Sequence, residues 1–438
     1  MRNIRKKLHD LRLVPFTCAS LLHGVIPSLF VIVGTLMPWS ACMAQRHEIL
    51  NRRITCLQVV AEDRWQDMPV AFMGETVHVS FDDQTHDYQR FCYKIEHCDV
   101  DWQPSQGLFA SDYMQGSNSI LVIDNTEQSL NTNHLYTHYS LSIPNEQCRL
   151  TMSGNYRLTV YVDDDVDNPV FTACFMLVDS KMNVGLSVSG NTDVDIYNSH
   201  QQVAMTVQLG DVHVSDPLRQ LKTVVLQNGR WDNAVFNSRP DYQSADALQW
   251  MHNKALVFDA GNEYHKFEML DMDHTTMGLD SIRWDGSEVH AFVQPDLPRM
   301  NYVYDEAATG AFYVRNSDNV DNDYTSDYAW VHFFLKAPRQ PNDVYLNGAW
   351  TYDRFLPIHK MEYDEVAKGY RAQVLLKQGY YSYQYLQVDA DGETSLVPTE
   401  GSFYPTKNAY QALVYYRGMA DRADQLVGYN QVRVKVAQ

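Results

Sequence analysis

Apolar and polar side chains alternate along much of this chain, most clearly in Phe91–Cys98. Between residues 91 and 95 every odd position is apolar, whereas Lys94 and Glu96 occupy even positions. This alternation predicts a half-buried antiparallel strand with one packed face and one wet face. Trp102 follows shortly afterwards, where a large ring can span the roughly 10 Å between two facing sheets. The stretch therefore predicts the centre of an immunoglobulin-like sandwich.

Short strand-like runs bounded by turn residues continue through the chain and predict an all-β protein. At 438 residues the chain is too long for one sandwich of about 100 residues, and three or four immunoglobulin-like or early-set sandwiches in series fit it. We predict domains at 45–180, 181–297 and 298–438. The second would include strands at 264–270 and 289–293. The third would begin with a hairpin of 301–305 and 311–315 and end with strands at 409–416 and 425–436.

Residues 1–44 form a separate piece that predicts an export signal. Five basic residues precede an apolar run, which ends with small residues one and three positions before Gln45. A transmembrane anchor is the alternative, but prolines interrupt the run. Lipidation at Cys42 is disfavoured because Trp39 stands where such a site normally has Leu. No later stretch is long and apolar enough to span a bilayer, so we expect a soluble, exported mature protein.

The charge of the chain limits its partners. Removing residues 1–44 takes away five positive charges and one negative charge, which moves the formal net charge from −19 to −23. Such a surface repels phosphate backbones, so nucleic acid is not expected as a partner. A basic protein surface would be attracted.

Cysteines and clustered acids give no strong prediction of a metal site. Asp163, Asp165 and Asp167 have the spacing of the first calcium-loop ligands, but Asn168 and Cys174 replace the Gly and Glu that such a loop needs. An acidic hairpin is the simpler interpretation. A second acidic group, in a Ser/Asn-rich segment, predicts a solvated loop: Asp318, Asp321, Asp323 and Asp327. The five mature cysteines lack CxxC spacing, and their disulfide state stays open: Cys56, Cys92, Cys98, Cys148 and Cys174.

No catalytic motif is present in the sequence. It has no Gly-x-Ser-x-Gly elbow, phosphate-binding loop or dinucleotide fingerprint. His134 and His138 are four apart, but strand alternation from Thr137 would keep them off a shared helix face. A glycosidase carboxylate pair remains a minor alternative. We predict a protein that is not an enzyme and needs no cofactor or metal. Large rings at strand ends or turns are candidate partner contacts, with burial in a core as the alternative: Trp102, Tyr113, Trp231 and Trp350.

Seven segments, taken in order, resemble the type IX secretion system plug protein family: 91–102, 111–116, 136–145, 153–161, 225–234, 260–264 and 376–381. The resemblance implies a periplasmic protein of β-sandwich domains, with 45–180 as the family's N-terminal domain. It implies docking on the periplasmic mouth of the outer-membrane translocon barrel, which the protein blocks when no substrate passes. Membrane association would then come through that partner. The alternative is an exported carbohydrate-binding accessory protein, since residues 344–350 and 369–385 are similar to early-set starch- and glycogen-binding modules.

Overall fold

The computed structural model of the chain describes residues 47–116 and 120–434. The export signal predicted at 1–44, with Cys42, lies outside the described residues. Strands dominate the described part, and its three α-helices are single four-residue turns, which confirms the all-β prediction. None of the helices in this part has the length and apolar character required to cross a bilayer.

The first sandwich is formed by residues 48–178. Its elements are β1 Glu48–Ile49, β2 Ile54–Ala61, β3 Val70–Phe72, β4 Val77–Asp83, β5 Phe91–Cys98, α1 Ala110–Tyr113, β6 Met114–Gly116, β7 Leu121–Ile123, β8 Asn125–Gln128, β9 Thr137–Ile143, β10 Cys148–Leu150, β11 Gly154–Val162 and β12 Pro169–Val178. One sheet has the order β1-β12-β11-β5-β7, with β3 beside β12, and the other has the order β2-β4-β9-β8. Phe91, Tyr93 and Ile95 are buried in the same core as Phe81 and Tyr139. The alternation predicted for β5 therefore supplies this core.

The chain then begins the second sandwich but does not complete it. This part contains β13 Asn183–Ser189, β14 His200–Gln208, α2 Pro217–Gln220, β15 Leu221–Gln227, β16 Arg230–Phe236, β17 Tyr242–Gln243, β18 Ala247–Trp250, a 3₁₀ turn at Lys254–Leu256 and β19 Val257–Asp259. One complete sheet results, with β13, β14, β18 and β17 in order and β19 also beside β14. This part of the chain also supplies β15 and β16, which are two strands of the facing sheet.

The third sandwich follows before the second is complete. It contains β20 His265–Met269, β21 Leu279–Trp284, β22 Val289–Val293, β23 Phe312–Val314, α3 Asn322–Thr325, β24 Tyr328–Leu335, β25 Asp343–Asn347, 3₁₀ turns at Ala349–Thr351 and Pro357–His359, β26 Glu362–Asp364, β27 Gly369–Lys377, β28 Gly379–Val388, β29 Thr394–Leu396 and a 3₁₀ turn at Pro398–Glu400. In one sheet β28 pairs with β20, β23, β25 and β29. The other sheet has the order β21-β22-β24-β27-β26, in which β22 and β24 are parallel.

The last two strands, β30 Ala409–Tyr416 and β31 Gln425–Arg433, return to the second sandwich. They complete the sheet β16-β15-β30-β31, with Leu221 opposite Tyr416 and Gln227 opposite Tyr410. The third sandwich is therefore inserted into the second.

This insertion corrects the strand assignments made from the sequence. The strands predicted at 409–416 and 425–436 belong to the second sandwich, whereas those predicted at 264–270 and 289–293 belong to the third. The hairpin predicted at 301–305 and 311–315 is also wrong, since 301–305 forms no strand and β23 pairs with β28. Alternation shows which face of a strand is buried, but partners distant in sequence are chosen by the packing of whole sheets.

The first and second sandwiches pack sheet against sheet through a separate apolar cluster. On the first sandwich, Cys174 and Met176 of β12 point away from their own core. On the second, Leu413 and Tyr415 of β30 do the same. Trp102, with a backbone φ of 61°, lies in this cluster and not between the sheets of the first sandwich as its position had suggested. The turn after β5 directs the ring outward.

Candidate functional site

The structure brings two of the four candidate contact residues together, separates the other two and buries all four. The rings of Trp102 and Trp231 meet edge to face, with centroids 5.6 Å apart, between the first and second sandwiches. Tyr113 donates a hydrogen bond to the carbonyl of Ile95 at 3.0 Å. Trp350 belongs to the core of the third sandwich. Each ring is less than a tenth exposed, so none offers a surface to a partner in this fold.

No clustered His, Cys, Asp and Glu side chains in the described part of the chain could together hold a metal ion. Asp163, Asp165 and Asp167 lie in and beside the turn between β11 and β12, where the intervening Asp164 pairs with Arg90 at 2.7 Å. Apart from Asp83, which pairs with Arg53 inside the first sandwich, the buried acidic groups of the described part lie at or near the junctions of the sandwiches.

A buried ion cluster joins the first sandwich to the third. Asp82 of β4 accepts hydrogen bonds from Lys377 at 2.6 Å, from Tyr328 at 2.6 Å and from His138 at 2.7 Å. The Lys377 ammonium lies 4.1 Å from the centre of the Tyr136 ring. We call these five residues the Asp82 cluster. Sequence reasoning missed it because its members lie far apart along the chain.

The Asp82 cluster is suited to holding two sandwiches together. The side chains of Asp82 and Lys377 are each 1% exposed. Burial acts to raise the pKa of Asp82, but the charge of Lys377 and the hydrogen bond from His138 outweigh it and hold that pKa below its usual value. A carboxylate that stays ionised and fully paired in the interior has no open position for a substrate. The cluster is therefore a junction, although perturbed groups of this kind often mark catalytic sites.

One of the four predicted loop acids, Asp327, takes part in the same junction, whereas Asp318, Asp321 and Asp323 are exposed as expected. Asp327 is buried and accepts hydrogen bonds from the backbone N–H groups of Asn133 and His134, at 2.7 and 2.9 Å. The prediction of a solvated loop is therefore wrong for Asp327. Its carboxylate is removed from water because it caps two amides of the neighbouring sandwich.

A second ion cluster lies where the chain enters and leaves the third sandwich. His265, at the start of β20, contacts Asp296 through Nδ1 at 2.7 Å and Glu400 through Nε2 at 2.6 Å. Burial acts to lower the pKa of His265, but the two carboxylates outweigh it and raise the pKa to about 9. The protonated ring thus donates to both acids. Arg299 also approaches Nδ1, at 2.8 Å, but cannot donate to a protonated nitrogen, so the bond to Asp296 is the one consistent with this charge.

Charged pairs also border the contact between the first and second sandwiches. Asp424 pairs with Lys222 at 2.7 Å within the second sandwich and accepts a hydrogen bond from the Val100 amide of the first at 3.1 Å. Arg417 reaches Asp99 of the first sandwich at 3.3 Å. The first sandwich is therefore joined to each of the other two by buried or half-buried polar contacts.

A cavity of about 150 Å³ lies where the three sandwiches meet. Its lining includes Trp102 of the first sandwich, Arg230 of the second and Phe312 of the third. The Arg230 guanidinium is buried and makes a two-pronged contact with Asp232, at 3.1 and 2.5 Å. Asp232 neutralises the charge of Arg230, so this guanidinium is not free to bind a ligand in the cavity.

The described cysteines are thiols and not disulfides. Cys98 and Cys148 are almost fully buried. Burial raises the pKa of Cys98 to about 12 and that of Cys148 to about 11, so neither forms a thiolate near neutral pH. The disulfide question left open by the sequence is thereby answered for this fold.

The match that decides the family lies in the first sandwich. The family model described as the type 9 secretion system plug protein 1st domain matches residues 54–179, which run from the first residue of β2 to just past the end of β12. This chain belongs to the type IX secretion system plug family. Membership gives this plug-family chain a role in type IX secretion.

Other comparisons extend the likeness beyond the first sandwich. The crystal structure of a hypothetical protein from Parabacteroides merdae ATCC 43184 is 36% identical, with a TM-score of 0.86, and the match covers 89% of this plug-family chain and all of that one. No curated protein matches the sequence. The BSP domain of a biofilm associated protein aligns with 91% of this chain and 62% of its own, but at 9% identity and a TM-score of 0.16 it carries no argument.

Proposed function

We propose that this chain is a non-enzymatic periplasmic plug. It binds the periplasmic opening of the type IX outer-membrane translocon and blocks the opening while no substrate is passing. The observation that carries the proposal is the family match over the first sandwich. The barrel is the partner, and membrane association comes through it.

The contacts between the sandwiches support this function. Domains joined by linkers move relative to one another unless their interfaces are large or apolar. Here one apolar cluster and the Asp82 cluster tie the first sandwich to the other two, and two chain segments connect the second to the third. A pore blocker works by filling space against a complementary surface, so resistance to bending serves it better than a reactive group does.

Co-purification with the barrel and a permeability assay test the proposal. Affinity-tagged full-length protein should retain a large outer-membrane barrel from detergent-solubilised membranes. Deletion of the gene should make cells sensitive to large hydrophilic antibiotics, and a plasmid copy should restore resistance. Retention of no barrel together with unchanged sensitivity contradicts the proposal. Retardation of the purified protein in a polysaccharide gel would favour the carbohydrate-binding alternative.

A further inference from the structure

Three irregular segments lie side by side at the junction of the second and third sandwiches. They are residues 190–199, residues 294–311 between β22 and β23, and the return crossover 397–408. The Tyr404 amide donates to the carbonyl of Asn198 at 2.8 Å, and the Arg299 amide donates to that of Thr399 at 2.7 Å. The crossover therefore contacts both of the other segments. We call the outer side of this trio the junction surface.

Large apolar side chains are exposed on all three segments. Met300 is 79% exposed and Ile196 is 70% exposed. The full set is Val194, Ile196, Tyr197, Leu297, Met300, Val303, Tyr304 and Tyr404. Single exposed apolar residues are ordinary, but eight of them on three adjoining segments favour an interaction site. A long connection without helix or strand, such as 294–311, is also usually functional.

These side chains are held in place by the segments beneath them. The rings of Tyr197 and Tyr404 are 5.2 Å apart. Tyr302 donates to the Glu263 carboxylate at 2.8 Å, and Lys407 contacts the Tyr304 hydroxyl at 2.9 Å. An ordered apolar surface binds with less loss of conformational entropy than a mobile one.

The exposed charges around the junction surface are acidic. The side chains of Asp259, Asp305 and Glu306 are 61%, 41% and 79% exposed. The nearest lysines are less exposed than the acids they pair with, Lys266 at 19% beside Asp305 and Lys407 at 30% beside Glu306, so the acids face the solvent more. The whole chain has a formal net charge of −19. An acidic surface is repelled by anionic lipid headgroups and attracted by a protein surface rich in Lys and Arg.

We propose that the junction surface is where this chain docks on the translocon. Its occupant is a protein surface on the periplasmic side of the barrel, with an apolar centre and a rim of Lys and Arg. This inference rests on the proposed plug function and adds the contact face to it. The apolar residues supply the buried centre of the interface, and the acidic rim sets orientation and association rate.

Aspartate substitutions on the full-length chain test the docking face. Met300→Asp places a charge at the most exposed apolar position of the junction surface and should reduce barrel retention about tenfold or more, as loss of a hot-spot contact does. The matched control is Val366→Asp, at a position 94% exposed on the third sandwich between β26 and β27, which should retain the barrel as the unaltered chain does. Glu306→Lys reverses one rim charge and should weaken retention at low salt more than at high salt. Circular dichroism of each variant checks that the fold is intact.

The outcomes separate this inference from the proposed function. If the unaltered chain retains no barrel, the plug function itself fails. If the unaltered chain and Met300→Asp retain the barrel equally, the plug function stands and the docking face is wrong. Phe109, just before α1, is 73% exposed on the first sandwich. Loss of retention in Phe109→Asp but not in Met300→Asp moves the contact to that sandwich and overturns the inference. Binding of the unaltered chain to phosphatidylethanolamine–phosphatidylglycerol vesicles, abolished by Met300→Asp, assigns the surface to lipid and also overturns it.

Discussion

Replacing Lys377 by Met tests whether the Asp82 cluster joins the first and third sandwiches. Methionine keeps most of the apolar stem and removes the charged end, which lies over the Tyr136 ring. The variant leaves Asp82, which is 1% exposed, without its nearest cation. The perturbation thus removes one buried ammonium, together with its contacts to Asp82, the Tyr136 ring and the Asp323 carbonyl.

The expected cost follows from burial and from the remaining hydrogen bonds. Removing one partner of a buried pair costs about 3–5 kcal/mol, because the other charge stays in the interior. His138 and Tyr328 still donate to Asp82, so we expect the lower end, about 3 kcal/mol of unfolding free energy. In the double variant Asp82→Asn with Lys377→Met no unpaired charge remains. We therefore expect its loss of unfolding free energy to be about 2 kcal/mol smaller than the sum of the losses in the two single variants.

Urea denaturation provides the measurement, with tryptophan fluorescence and circular dichroism followed on the same samples. The control is Lys94→Met, which breaks an exposed pair with Glu96 and should change the free energy by about 0.5 kcal/mol or less. The reasoning is refuted if Lys377→Met is as stable as this control. It is also refuted if the double variant costs the full sum of the two single variants.

Three further outcomes are expected from the contacts between and within the sandwiches. Because the pKa of His265 is raised from 6.5 to about 9, its contribution to the free energy of unfolding is complete below pH 6.5 and is lost as the pH rises through about 9. Over that interval the unaltered chain should lose roughly 3 kcal/mol of unfolding free energy relative to His265→Gln. Urea denaturation at each pH measures this loss. Trp102→Ala should lower the free energy of unfolding by about 3–5 kcal/mol, and the exposed-site control Trp284→Ala should lower it by about 0.5 kcal/mol or less. Equal losses in the two variants would contradict the buried placement of Trp102. Iodoacetamide at pH 8 should leave Cys98 and Cys148 unlabelled in the folded chain and label both after unfolding, as measured by mass spectrometry. If the unfolded, unreduced chain is not labelled at these positions, they form a disulfide.

The fold class could be predicted because side-chain alternation is a local property. Phe91, Tyr93 and Ile95 fall on one side of β5 in the sequence, and the structure buries all three in one core. Strand partners could not be predicted in the same way. β30 pairs with β15, and the whole third sandwich separates them along the chain.

One sequence signal could have revealed that β30 is covered on both sides. Residues 409–416 are almost continuously apolar or aromatic, which is typical of a strand buried on two faces. Tyr410 and Val414 fill the core of the second sandwich, while Leu413 and Tyr415 contact the first. The ion clusters carry no comparable signal, because Asp82 and Lys377 meet only after two sandwiches have folded. The role of a turn aromatic such as Trp231 likewise depends on a neighbour that no local pattern specifies.

The insertion of one sandwich into another makes the second domain a late product of synthesis. Its sheet lacks β30 and β31 until those residues have been made, however completely the preceding strands have formed. Contacts this distant in sequence form slowly, since a long loop must close before they are gained. A chain shortened anywhere before β30 would expose the edge of β15 and the apolar faces around it. Such a product would be open to proteolysis, so the second sandwich becomes resistant only once β30 and β31 have been made and paired.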